Sequence, residues 1–175
     1  MDGGVVCDMA GCVSVCSSNN THHRCTRITP IHNQPNGPRV GNVTTSTNFN
    51  DTSYIDVDGK GNSGAVFYFN SADMTSIIHR CTFNNCYTTA SSGGAFYIYS
   101  AHTVQTINST FVNCRSGLYG GAVRVDTIKS CISFRTCVFE ECKCSDRGGG
   151  IYFNTEIPIT VTSCHSPPTL PGGTN

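Results

Sequence analysis

The chain has 175 residues, balances 11 Lys and Arg against 11 Asp and Glu for a net charge of zero, and carries charge at only 13% of its positions. That length fits one domain with a real core, and sparse, balanced charge excludes a nucleic-acid binder, which needs a clustered basic face against phosphates. Eighteen Gly, no Trp and many Ser, Thr and Asn point to short elements and frequent turns, as in an all-β chain, and no apolar run is long enough to span a membrane.

In chain order, residues 1–45 are expected to form an irregular Cys-rich N-terminal cap or degenerate coil. Met1 to Ala10 shows neither a basic n-region nor a long apolar h-region, so no secretion signal is legible there. Gly3-Gly4-Val5-Val6 reads as a decayed strand start, followed by Cys7, Cys12, Cys16 and Cys25 and the Pro-rich stretch Pro30 to Pro38. Asn42 to Asp58 predicts an imperfect rung. Atypical terminal units are expected where a solenoid must cover strand edges and apolar interior. The sequons at Asn19, Asn42, Asn50 and Asn108 occur about as often as chance allows in so Asn- and Thr-rich a chain, and carry no argument.

Residues 46–165 repeat. Cys81-Thr82-Phe83-Asn84-Asn85-Cys86 returns as Ser109 to Cys114 and again as Cys137 to Cys142, at a spacing of about 28 residues. After each comes a glycine punctuation and an apolar strand: Gly93-Gly94-Ala95-Phe96-Tyr97-Ile98, Gly120-Gly121-Ala122-Val123-Arg124-Val125 and Gly148-Gly149-Gly150-Ile151-Tyr152-Phe153, with an earlier copy at Ser63-Gly64-Ala65-Val66-Phe67-Tyr68. The alternation has a period of two, which excludes helical solenoids, and the repeat is too short for a propeller blade. The predicted fold is therefore all-β: a right-handed single-stranded parallel β-helix of about 28 residues per coil. Read by alternation, the inward columns are Val66, Phe96, Val123, Ile151 and Tyr68, Ile98, Val125, Phe153. Between them Phe67, Tyr97, Arg124 and Tyr152 face out, an Arg marking the solvent side. Phe83, Phe111 and Phe139 fill the core from another wall. Gly serves the sharp turns, and Ala or Gly after it lets coils approach. Asn85 and Asn113 suit turn corners and can stack, while Glu141 breaks that ladder. Residues 166–175, from Pro167 onward mainly Pro, Gly and Thr, read as a disordered tail.

The tandem GGA[ILV] motifs with an intervening F-x-x-N pattern resemble the polymorphic membrane proteins, autotransporter-like surface adhesins of intracellular bacteria. Versions of the kind F-x-N-C resemble β-helix surface proteins of anaerobic protists, and this chain is most similar to those. The resemblance covers about residues 60–154 and departs from the bacterial pattern where Cys86, Cys114 and Cys142 replace Asn. It implies a β-helix, a cell-surface or extracellular setting within a larger surface protein, and an adhesive role; the signal peptide and anchor that it also implies are not visible in these residues.

Four chemistries are open to these residues. The outward strip Phe67, Tyr97, Arg124 and Tyr152, flanked by Phe69 and Tyr99, is the candidate binding wall, suited to a glycan or to a host or self protein; packing by another segment would explain the same rings. In-register Cβ atoms lie about 4.8 Å apart, beyond the roughly 3.5–4.5 Å of a disulfide. Cys86, Cys114 and Cys142 are thus expected to be buried thiol fillers, with Cys81 to Cys86 or Cys137 to Cys142 bridges as the alternative. Metal ligation by Cys142, Cys144, Cys164 and His165, or by Cys12, Cys16, His22, His23 and Cys25, lacks the spacing of structural zinc sites, and neither metal nor cofactor is expected. A pectate-lyase-like or hydrolytic activity needs a clustered base and carboxylates; Asp126, Glu140, Glu141, Asp146, Arg124, Arg135 and Arg147 are read as scattered, and Asp56 with Asp58 as a solvent-facing turn. The expectation is a non-catalytic module, with a lyase or hydrolase and a plain structural spacer as the alternatives.

Overall fold

A computed structural model describes residues 40–126, 131–155 and 157–165. The N-terminal Cys cluster with its His pair, the Pro-rich stretch and the 166–175 tail lie outside the described residues. Within them the chain is a parallel β-solenoid of about four turns, with no helix.

Each coil visits four walls. The first contains β1 (Gly41–Val43), β4 (Phe67–Asn70), β8 (Phe96–Ser100), β12 (Val123–Val125) and β16 (Ile151–Phe153). The second contains β2 (Asn48–Asn50), β5 (Thr75–His79), β9 (Thr103–Ile107), β13 (Cys131–Arg135) and β17 (Ile159–Thr162). The third holds β3 (Ser53–Ile55), β6 (Thr82–Asn84), β10 (Thr110–Val112) and β14 (Val138–Glu140); the fourth holds β7 (Tyr87–Thr88), β11 (Arg115–Ser116) and β15 (Lys143–Cys144). Pairing is parallel throughout, and Phe83, Phe111 and Phe139 are register partners as the repeat predicts.

Left-handed residues make the corners. The second wall turns into the third at Asp51, Arg80, Asn108, Thr136 and Ser163, all with φ between 48° and 54°, and the third into the fourth at Asp56, Asn85, Asn113 and Glu141. Asn and Asp tolerate this region because their short side chains bond locally. Asn85 Nδ2 donates to Asp56 Oδ1 at 2.7 Å and Asn113 Nδ2 to Asn85 Oδ1 at 3.4 Å, and the ladder stops at Glu141. Asp58 is exposed and accepts the Lys60 backbone N–H at 2.7 Å, which makes the Asp56-x-Asp58 pair turn chemistry. The third corner is Gly64, Gly93, Gly120 and Gly148, with φ of 64° to 75°.

Those corners set the phase of the first wall. Three residues after each positive-φ glycine, Phe67, Phe96, Val123 and Ile151 point inward, and the next residue in each strand, Tyr68, Tyr97, Arg124 and Tyr152, points outward. Phe67 and Phe69 are therefore core residues with no exposed area, and the outward member of that coil is Tyr68. This corrects the reading from sequence: Gly64 is equivalent to Gly93, the first glycine of its pair, so matching Ala65 with Ala95 shifted the strand by one residue and reversed its faces.

Inside, aromatic rings run up the axis. Tyr54 and Phe83 stack at 5.2 Å, Phe83 and Phe111 at 4.8 Å, and Phe111 and Phe139 at 4.7 Å, the last two pairs within 5° of parallel. Two thiol ladders complete the core, each just after a left-handed corner. Cys86, Cys114 and Cys142 donate to the carbonyls of Tyr54, Phe83 and Phe111 at 3.3–3.6 Å, one coil earlier. Cys81 and Cys137 donate to Phe49 and Thr106 at 3.4 Å, with Ser109 in the intervening coil and Cys164 following. These cysteines are free, and the intra-coil pairs Cys81 with Cys86 and Cys137 with Cys142 sit in different ladders. Burial pushes the Cys81 and Cys114 thiols above their ordinary range, so they fill space and stay protonated.

Candidate functional site: the tyrosine wall

The outer face of the first wall gathers most of the aromatic residues that the core does not use, Tyr87 on the fourth wall apart. Tyr68 on β4, Tyr97 and Tyr99 on β8 and Tyr152 on β16 project from it, with Arg124 on β12 among them. Tyr119, an isolated bridge residue just before Gly120 that pairs with Arg147, reaches the same face and stacks on Tyr152 with ring centroids 4.9 Å apart. Tyr68 lies 5.4 Å from Tyr97 and 6.2 Å from Tyr99.

Arg124 organises the centre. Its Nε donates to Asp126 Oδ1 at 2.9 Å and its Nη2 pairs with Oδ2 at 2.6 Å, the two-pronged fit of a guanidinium on a carboxylate. Its Nη1 donates to Ser92 Oγ at 2.9 Å. The Tyr97 hydroxyl donates to Asp126 Oδ2. The guanidinium carbon lies 5.0 Å from the Tyr97 ring centre, 4.9 Å from Tyr119 and 5.9 Å from Tyr152, so the cation rests against three rings. Partial burial is the largest single influence and opposes its charge, but the bond to Asp126, the charge of Asp126 and the neighbouring Tyr97 and Tyr152 together outweigh it and hold the guanidinium above its ordinary range. Burial, with the bond to Asp126 second, raises the Tyr97 phenol well beyond its usual value.

The wall has a fixed floor and an accessible surface. Tyr97 is only 8% exposed, and the Arg124 and Asp126 side chains are 18% and 11% exposed, so these three form a brace. Tyr99 is 52% exposed. The pairing of β4 with β8 shifts at this point, Phe69 opposing Ile98 and Asn70 opposing Ser100, so Tyr99 is the extra residue of a bulge that turns it to solvent. Tyr68, Tyr119 and Tyr152 are half-buried, and with Tyr99 their hydroxyls have no hydrogen-bond partner among the described residues.

Of the residues singled out in the sequence, Tyr97, Tyr99, Arg124 and Tyr152 come together here, whereas Phe67 and Phe69 do not. The sequence-based expectations leave out Ser92 and Tyr119, place Tyr68 inward and set Asp126 apart from Arg124. Their separation of two residues is the signal that placed them on one face of a strand. Tyr119 left no such signal, because it is an isolated bridge residue outside the alternating strand.

Among the described residues, the remaining ionisable side chains do not assemble a second centre. Asp146 and Arg147 pair with each other at 3.6 Å in an exposed turn, and Asp51 pairs with Arg80 at another corner. Cys142 and Cys164 belong to separate ladders, and among the described residues no three His, Cys, Asp or Glu side chains converge as a metal would require. Comparison with protein-family models, curated proteins and solved structures gives no match for this chain.

Proposed function

We propose that this chain is a non-catalytic module of a cell-surface or secreted protein, a stiff solenoid whose tyrosine wall is the adhesive face. The observation that carries the reading is the outward set Tyr68, Tyr99, Tyr119 and Tyr152, whose hydroxyls have no partner among the described residues, held in place by the Arg124–Asp126 brace. Rings with an apolar face and a polar tip suit recognition surfaces. The resemblance of its glycine and F-x-N-C repeats to surface β-helix adhesins points the same way. Every nitrogen of the Arg124 guanidinium already has an acceptor, which speaks against a lyase base on this wall.

That same self-sufficiency favours the second reading, a structural spacer in which the cluster only stiffens one wall. Adhesion of the immobilised chain to a glycan array and to cell-surface protein extracts, compared with the Tyr99→Ala and Tyr152→Ala double variant, separates the two. Binding lost in the variant is the expected result. Binding unchanged by it removes the wall from the function, absence of binding leaves the spacer, and unsaturated product from polygalacturonate with calcium makes the protein a lyase.

A further inference from the structure

We infer that the tyrosine wall selects neutral oligosaccharides and discriminates against acidic ones, an inference that rests on the adhesive reading above. The first wall is nearly free of charge. Its five strands read GNV, FYFN, FYIYS, VRV and IYF, and Arg124 is the one charged residue in them. Asp126, immediately beyond β12, cancels that charge through two contacts of 2.6 and 2.9 Å, so among the described residues the strands of the wall present no unpaired cation to a uronate or a sulfate. At the border Arg147 has Asp146 beside it.

An acidic sugar approaching Arg124 would have to displace a carboxylate held by two guanidinium nitrogens and by the Tyr97 hydroxyl. It would leave Asp126 without its counter-ion, a penalty built against the wrong ligand. A neutral sugar meets no such obstacle. Its C–H faces lie on the exposed ring of Tyr99 and the partly covered rings of Tyr68, Tyr119 and Tyr152, and its hydroxyls find the phenol groups that no described residue engages and the exposed amides of Asn70 and Asn154.

The ladder direction adds a shape requirement. Tyr68, Tyr97, Arg124 and Tyr152 occupy four successive rungs. At about 4.8 Å per rung the strip extends about 14 Å along the solenoid axis. The ligand is an extended oligosaccharide lying across the coils.

The experiment titrates the protein with neutral oligomers of glucose, N-acetylglucosamine and mannose, and with oligogalacturonate and a heparin fragment. Tyrosine emission is the readout, which the absence of Trp leaves clean. At least one neutral oligomer is expected to bind, with a Kd that moves less than about twofold between low salt and about 0.5 M, because no net charge is screened. Tyr99→Ala should weaken it about tenfold or more. Asp126→Asn uncovers the Arg124 cation and should create salt-sensitive binding of oligogalacturonate. Asn70→Lys, which leaves the brace untouched, should do the same if Asp126→Asn loses its sheet signal in circular dichroism.

Wild-type binding of acidic oligomers alone, salt-sensitive and lost in Tyr99→Ala, overturns the selectivity and leaves the adhesive wall standing. Failure of both charge variants to gain acidic binding overturns the charge argument. No oligosaccharide binding at all, or binding indifferent to Tyr99→Ala, overturns the inference, and with the adhesion assay above it decides whether the wall binds anything else.

Discussion

Phe111→Ala removes the central ring of the aromatic ladder and leaves its neighbours without a partner on one side each. Phe111 has no exposed area and stacks on Phe83 at 4.8 Å and on Phe139 at 4.7 Å, with Phe96 at 5.5 Å across the core. Truncating a buried Phe costs about 3–5 kcal/mol. Each aromatic pair contributes about 0.5–1.5 kcal/mol beyond area, and here both stacked partners are lost, which places the cost near the upper end, about 4–5 kcal/mol. Phe139 is 7% exposed and stacks on one side only, so Phe139→Ala should cost about 1 kcal/mol less. Phe111→Leu keeps most of the apolar volume and should cost about 1–2 kcal/mol. Against a total stability of about 5–15 kcal/mol these differences are large. Urea unfolding followed by far-UV circular dichroism measures all three. A Phe111→Ala cost below about 1 kcal/mol, or one no greater than that of Phe139→Ala, would refute the continuous ring ladder.

Other substitutions probe the corners and the enclosed polar groups. Gly121→Ala should unfold the chain or cost more than about 4 kcal/mol, because a Cβ there would lie 2.0 Å from the Gly149 carbonyl oxygen and 2.6 Å from Lys143 backbone atoms. Gly150→Ala should instead stabilise by about 0.4–1 kcal/mol, since its Cβ would meet Phe139 at an ordinary 3.5 Å and the equivalent residues Ala95 and Ala122 already carry one; thermal melts of the two variants should move in opposite directions. Thr106 is fully buried with no hydrogen-bond partner for its hydroxyl among the described residues, so Thr106→Val should raise the urea midpoint by the equivalent of about 1 kcal/mol. A lower midpoint would show that the hydroxyl has found a partner. Burial raises the Cys81 thiol above its unfolded value, so its contribution is complete below about pH 8.5 and declines as pH rises towards the folded value. In reductant, the stability difference between wild type and Cys81→Ala should therefore shrink from pH 8 to pH 10, and a difference that is flat or grows contradicts the assignment.

The sequence by itself determined the coil. The recurrence of Phe83, Phe111 and Phe139 at a fixed spacing, with glycines between, is local information, and parallel stacking follows because identical side chains at one period must meet. The thiol fillers were legible for the same reason, as was the Asn85 and Asn113 ladder. Tertiary structure alone decided the phase of the first wall. A period of two says that faces alternate but not which face is inside, and that choice depends on where the left-handed residue falls. Gly64 fixes it for Phe67, Tyr68 and Phe69. The candidate site needed the third dimension too, because Ser92, Tyr119 and Arg124 come from different coils or from outside the repeating strands, and only the stacking of those coils brings Ser92 and Tyr119 to one guanidinium.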